Sequence, residues 1–269
     1  MAPPQRGATG TRIFRTKRGG LRPGSLSAGP PARCDARRFG GTTLNTLFTS
    51  EPSNIDGLGL TPVPLVPEVR LLLAHDAIVL WARLEAVGGR TLPAPFWASA
   101  WIGGQAAARY ILDHPETVAG RTVLDLASGS GLVAIAAAMA GARAVTANDV
   151  DPYAMTAITA NATANGVVVT PLPGDILDGD GDGAEMVLAG DVLYSQSMAD
   201  RVLPFLTRVA DRGARVLVGD PGRGYLPTDR LEAVASYRIP SVGAPEDAQI
   251  QQAVVFAVRS QACAALQAE

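Results

Sequence analysis

Four aspartates, Asp125, Asp149, Asp175 and Asp191, sit within or directly after short apolar runs. A turn of small residues, Ala127-Ser128-Gly129-Ser130-Gly131, follows the first of them. Gly129 and Gly131 tolerate positive φ and close backbone approach, so the turn aims N–H groups into a crevice at the start of the next segment. Something small should bind there. The GxGxxG fingerprint of a pyrophosphate site is missing, because Leu132, Val133 and Ala134 follow Gly131. Asp125, two residues before the turn, suits a cationic ligand such as the amino group or sulfonium of S-adenosylmethionine, and the other carboxylates do too. Asp149, with Val150 beside it, lies about 20 residues past the turn, where a carboxylate accepts both hydroxyls of a ribose.

These residues need a scaffold that brings strand ends together. Thr122–Leu126 is short and apolar, and Leu132–Ala140 is Ala-rich without Gly or Pro, which predicts a strand and a buried helix. Strands are predicted over 144–147, 167–172, 185–190 and 214–219, with helices over 152–165 and 197–212 between them. A short helix near 228–235 and two strands, 237–242 and 253–258, follow. Strands alternate with helices until the last pair, so the expected fold is α/β and Rossmann-like: a mostly parallel seven-stranded sheet, helices on both faces and a terminal antiparallel hairpin. In such sheets ligands bind beyond the carboxyl ends of the strands where strand order reverses. Before this core, Leu44–Pro67 reads as loop, because Thr61-Pro-Val-Pro-Leu-Val-Pro67 demands extended geometry. Residues 68–73 read as a strand, and Asp76 caps a helix over 77–86 that packs Ile78, Leu80, Trp81 and Leu84. A helix over 105–112 follows Phe96, Trp97 and Trp101. Trp101, directly before Ile102-Gly103-Gly104, is the better candidate for a pocket wall; Trp97 divides evenly between that and plugging the sheet floor. The expected divisions are a disordered basic tail (1–40), an N-terminal extension with a helix (41–92), the main domain (93–260) and a C-terminal tail (261–269).

Composition removes several chemistries. The chain of 269 residues is 47% hydrophobic and 18% charged, enough for one sizeable core. Arg143 interrupts the best apolar run, so no membrane span is expected. Two cysteines far apart, Cys34 and Cys263, make neither a disulfide framework nor a zinc site, and His75 and His114 are too few for a metal cage. No metal is expected. The Asp178-Gly-Asp-Gly-Asp-Gly183 run resembles a calcium loop, but Ala189 stands where the loop's final Glu belongs and a strand follows. Residues 1–40 hold nine of the 23 Lys and Arg and one acid; residues 41–269 hold 14 basic and 24 acidic residues. That acidic field suits a basic partner surface and disfavours nucleic acid. Lys17 is the sole lysine, which removes P-loop, Schiff-base and Tyr-x-x-x-Lys chemistries from the remainder. The basic tail reads as non-essential or as a start placed too far upstream. A bacterial chain would be cytoplasmic; for a eukaryotic one the mitochondrial matrix fits.

Val123-Leu-Asp-Leu-Ala-Ser-Gly-Ser-Gly131 and Asn148-Asp-Val-Asp-Pro152, with the seven-strand pattern, resemble the class I S-adenosylmethionine-dependent methyltransferases. The run from Phe96 to Gln105, through Asp191-Val-Leu-Tyr194 to Gly219-Asp-Pro-Gly-Arg223, is similar to the seven-β-strand protein-lysine methyltransferases. Within them it is most like those acting on the electron transfer flavoprotein β-subunit. The resemblance covers about residues 60–258. It implies that Asp125, Ser128, Gly129 and Gly131 hold the methionine and ribose part of the cofactor, that Asp149 takes the ribose hydroxyls, and that Asp175 and Ile176 border the adenine beside Trp101. Asp191 and Tyr194, matching an Asp-x-x-Tyr motif, would lie beside the transferred methyl and the target lysine. A neutral lysine ε-amine would then displace S-adenosylhomocysteine directly on an accessible lysine of a protein substrate. Two positions depart from the pattern: Ala127 replaces the first glycine of the turn, and Ile102 stands where relatives often have Pro. A small-molecule (nicotinamide-type) N-methyltransferase and a non-catalytic S-adenosylmethionine-binding module are the alternatives. Arg223 either shapes substrate entry or pairs with a surface acid.

Overall fold

The computed structural model describes residues 57–227, 230–239 and 251–260. The two predicted tails, both cysteines, Lys17 and the far end of the strand predicted over 237–242 lie outside them. Within them the chain runs β1 (Leu58–Val63), β2 (Val66–Ala74), α1 (Ala77–Gly88), α2 (Ile102–Asp113), β3 (Thr122–Leu126), α3 (Leu132–Met139), β4 (Ala144–Asp149), α4 (Pro152–Ala164), β5 (Thr170–Pro173), β6 (Met186–Gly190), α5 (Gln196–Asp211), β7 (Arg215–Asp220), β8 (Leu231–Ile239) and β9 (Gln251–Val258).

Seven strands form one sheet in the order β5-β4-β3-β6-β7-β9-β8. All neighbours are parallel except β9, which is antiparallel to both β7 and β8. Strand order reverses between β3 and β6, since β4 and β5 lie to one side and β6 onward to the other. This is the Rossmann-like α/β arrangement, mostly parallel with a terminal antiparallel hairpin, that the strand and helix alternation predicts. Side chains alternate across it as strand geometry requires. Val123, Val145, Ala147, Met186 and Leu188 pack under α2, α3 and α4, whereas Leu124, Leu126, Val187, Ala189, Val216 and Val218 pack under α5. Among the described residues, helices cover both faces.

Three local expectations need correction. The proline-rich stretch before residue 67 is not loop: Leu58–Val63 pairs antiparallel with Val66–Ala74 in a separate two-stranded sheet. Both strands are edges, where Pro62 and Pro67 deprive no neighbour of a ladder hydrogen bond. Val63, Val66, Val69 and Leu71 of this hairpin are fully buried against α2, α3 and α4. Asn161 and Asn165 of α4 fasten it, accepting from the Leu72 and Arg70 N–H at 2.8 and 2.9 Å. Next, where a helix is predicted near 228–235, residues 231–235 are the first part of β8, and 228–229 lie outside the described residues. Its residues favour a helix locally, but pairing with β9 from Leu231↔Val258 to Ile239↔Gln251 overrides that preference. Third, Ile78 points to solvent; α1 buries Leu80 and Leu84. Its predicted start is observed, with Asp76 accepting from the N–H of Ile78 and Val79. Elsewhere β5 begins at Thr170, and α2 begins at Ile102, three residues before its predicted start.

Candidate active site

A cleft of about 770 Å³ opens beyond the carboxyl ends of β3, β4 and β6. Of the twelve residues singled out in the sequence, eleven line it: Trp101, Asp125, Ala127, Ser128, Gly129, Asp149, Val150, Asp175, Ile176, Asp191 and Tyr194. Gly131 does not. It is the N-cap of α3 at φ 86°, and a Cβ there would press on Ile158 of α4 at 3.4 Å, so it fixes how the two helices meet. His75 and His114 lie outside the cleft.

At its floor Asp125 is wholly buried in β3. Its Oδ2 accepts from Ser128 Oγ at 2.5 Å and from the Ala134 N–H at 3.0 Å. Its Oδ1 has no hydrogen-bond partner among the described residues. Burial pushes this carboxyl up to about 7 despite those two donors. An orphaned, buried carboxylate oxygen in a cleft is what an ammonium ligand would satisfy. Ala127 adopts φ 52°, the left-handed backbone that the missing glycine would adopt without strain. Asp149 closes the turn from β4: Oδ2 accepts from Gly129 N–H and Oδ1 from Asp151 N–H, each at 2.9 Å. Its carboxylate is thus held rigid at the cleft edge. Asp175 is engaged by Arg201 at 2.7 Å and by the Leu177 N–H at 3.0 Å, and this pairing holds its carboxyl below the usual range. Arg201, also on the cleft wall, carried no sequence signal. Trp101 caps α2, is 41% exposed, donates Nε1–H to the Phe96 carbonyl and tilts against the Phe96 ring at 5.8 Å. Trp97 is buried and stacks on Tyr153 at 6.4 Å while still reaching the cleft, so both readings of it hold.

Asp191 directly follows β6 at φ 57°, a left-handed backbone that costs an aspartate on the order of 1 kcal/mol. Buried Val192 and Leu193 follow, and Tyr194 emerges half exposed into the cleft. Asp191 Oδ2 accepts from the Gly104 N–H at 2.9 Å, and Oδ1 stands 2.6 Å from Arg223 Nη1. Burial pushes the carboxyl up, while Arg223 and the Gly104 N–H oppose the rise. The acid paired with Arg223 is therefore a buried cleft residue, not a surface one. Bare backbone makes this contact possible. A Cβ on Gly103 would overlap the Gly219 carbonyl and stand 2.7 Å from Asp191 Oδ2, and one on Gly190 would come within 2.6 Å of Gly104 Cα. The start of α2 thus beds on the ends of β6 and β7, aiming its N–H groups at the carboxylate. Sequence reasoning missed this; the signal was Gly103-Gly104 opposite two Gly-Asp pairs, Gly190-Asp191 and Gly219-Asp220.

Comparison with known proteins narrows the class. The ribosomal protein L11 methyltransferase (PrmA) family model matches residues 110–194, the segment from α2 through Tyr194. The electron transfer flavoprotein β-subunit lysine methyltransferase of Danio rerio is 39% identical over 182 residues, 65% of this chain and 70% of that one. The Rattus norvegicus protein of the same name is 40% identical over 182 residues, 65% and 71% of the two chains. A Caenorhabditis elegans homolog is 31% identical over 175 residues, 59% and 71%. Fold, cleft and matches define an S-adenosylmethionine-dependent methyltransferase that acts on protein lysine. The chain belongs to the electron transfer flavoprotein β-subunit lysine methyltransferase family.

Proposed function

We propose that the protein methylates lysine on the electron transfer flavoprotein β-subunit, with S-adenosylmethionine bound in the cleft at the ends of β3, β4 and β6. The observation that carries the substrate assignment is the 39% and 40% identity to relatives that bear this substrate in their names. The reaction belongs in whichever compartment holds that flavoprotein. Residues 93–260 form the catalytic domain in this reading, with the preceding hairpin and α1 as an extension.

The residues present fit the cofactor. Asp125 Oδ1, unpartnered among the described residues, would take its ammonium, with Ser128 and Gly129 of the turn beside it; Asp149, with Val150 adjacent, would take the ribose hydroxyls. Ile176 and Asp175, the latter already held by Arg201, would border the adenine, and Trp101 would add an aromatic wall. Ala127 shapes the turn without glycine. When bound, the cofactor supplies a methyl group activated by a positive sulfur. Asp191 attracts the incoming lysine ammonium, orients the amine after its proton leaves to water, and Tyr194 aims it with its hydroxyl. The site contributes mainly position, since a well-oriented amine needs little else.

The test is incubation of the purified protein with methyl-labelled S-adenosylmethionine and isolated electron transfer flavoprotein β-subunit, followed by peptide mass analysis. Label on lysine side chains of the β-subunit is expected. Label confined to small molecules would contradict the proposal.

A further inference from the structure

We propose that Arg223 is a positioning residue for Asp191: it keeps that carboxylate charged and fixed in the cleft, and the turn begun by Asp220 holds Arg223 in place. The inference rests on the reading above, in which Asp191 meets the acceptor amine.

The geometry is a clamp from two sides. Asp191 Oδ2 is held by the Gly104 N–H at the start of α2, and Oδ1 by Arg223 Nη1, which comes from the segment after β7. The Asp191 side chain is 6% exposed and that of Arg223 29%, so the pair is shielded on the carboxylate side and reaches solvent from the guanidinium side. Asp220, the last residue of β7, is completely buried. Its Oδ1 accepts from the N–H of Gly222 at 2.6 Å and of Arg223 at 3.1 Å. Gly222 at φ 85° lets the chain double back over that carboxylate. A fully buried aspartate thus sets the backbone of Arg223 directly beside its partner.

Charge logic gives the pair a purpose. Burial without a counter-ion favours the protonated form of a carboxyl, and a neutral Asp191 neither attracts a lysine ammonium nor forms the ion pair with Arg223. Among groups facing Asp191, α2 offers only backbone N–H dipoles. Tyr194 follows it in the chain, Asp125 of β3 lines the same cleft, and Asp220 ends the neighbouring strand. Arg223 is the charged group that favours its ionised form. A guanidinium stays protonated throughout and can neither give nor take the reaction's proton, so its effect passes through Asp191.

The test uses the full-length protein, with the flavoprotein β-subunit as acceptor. As pH falls, log kcat/KM is expected to drop with slope about one, from protonation of the amine, and to steepen to about two where Asp191 also protonates. Arg223→Gln keeps a side chain of similar polarity without charge. It should move that break upward by about one pH unit or more and lower kcat about tenfold or more, with S-adenosylmethionine affinity within about twofold. Arg223→Lys should return the break toward the wild-type position and recover part of kcat. A wild-type profile and kcat in Arg223→Gln overturn the proposal. Asp191→Asn separates the two readings: if it is fully active, the role of Asp191 fails; if it is inactive while Arg223→Gln behaves as wild type, only the role of Arg223 fails. Should Arg223→Gln not fold, the double variant Asp191→Asn/Arg223→Gln, which removes the buried charge with its partner, is expected to fold. Its failure to do so overturns the proposal equally.

Discussion

Asp125 is the residue whose chemistry is most legible in the sequence: an acid two positions ahead of a glycine turn. Its environment is not. The orphaned Oδ1 and the rise to about 7 come from burial beneath α3, which no spacing reveals. A raised carboxyl stabilises the fold fully below its ordinary value near 3.9, and that contribution is lost as pH climbs through about 7. Asp125→Asn should therefore flatten the fall in melting temperature across that window in cofactor-free protein, an effect on the order of 4 kcal/mol at most. Cofactor affinity should run the opposite way, tightening as Asp125 ionises, and calorimetry should find this pH dependence absent in Asp125→Asn. Arg223 marks the limit of residue-level reading. The sequence left it between shaping substrate entry and pairing with a surface acid, whereas its partner is buried and lies 32 positions away in the chain.

At the level of elements, capping and periodicity located the central strands and helices, because Asp76, Asp151 and the Ala-rich α3 carry strong local signals. Failures came where tertiary pairing outweighs local preference: the first part of β8 resembled a helix, and prolines hid β1 although most of β2 read as a strand. The seating of α2 was legible only as unexplained glycines. Since Gly103 and Gly219 leave no space for a Cβ, Gly103→Ala must lift the start of α2 from β7. Overpacking of this kind costs about 1–3 kcal/mol, and the Gly104 hydrogen bond to Asp191 should lengthen. Chemical denaturation should show the lost stability, and turnover should fall more than cofactor affinity. Full stability together with wild-type turnover would contradict this packing account.

Across the whole molecule, the acidic balance of residues 41–269, 24 acids against 14 bases, complements an acceptor surface that presents lysines. Encounter with such a partner should weaken as salt screens the field. Steady-state rates are expected to show KM for the protein acceptor rising with ionic strength while kcat changes little; a salt-independent KM would remove charge from the account of recognition. In the proposed reaction this cleft transfers methyl groups to lysine on the flavoprotein β-subunit with Asp191 beside the acceptor amine. Wild type and Asp191→Asn are to be compared for methylation of the isolated β-subunit, with cofactor binding measured on the same samples. Methyl-lysine is expected with the wild type, with a loss of about a hundredfold or more in the variant and cofactor binding retained in both. Equal methylation by the two proteins, or none by either with cofactor bound, would contradict it.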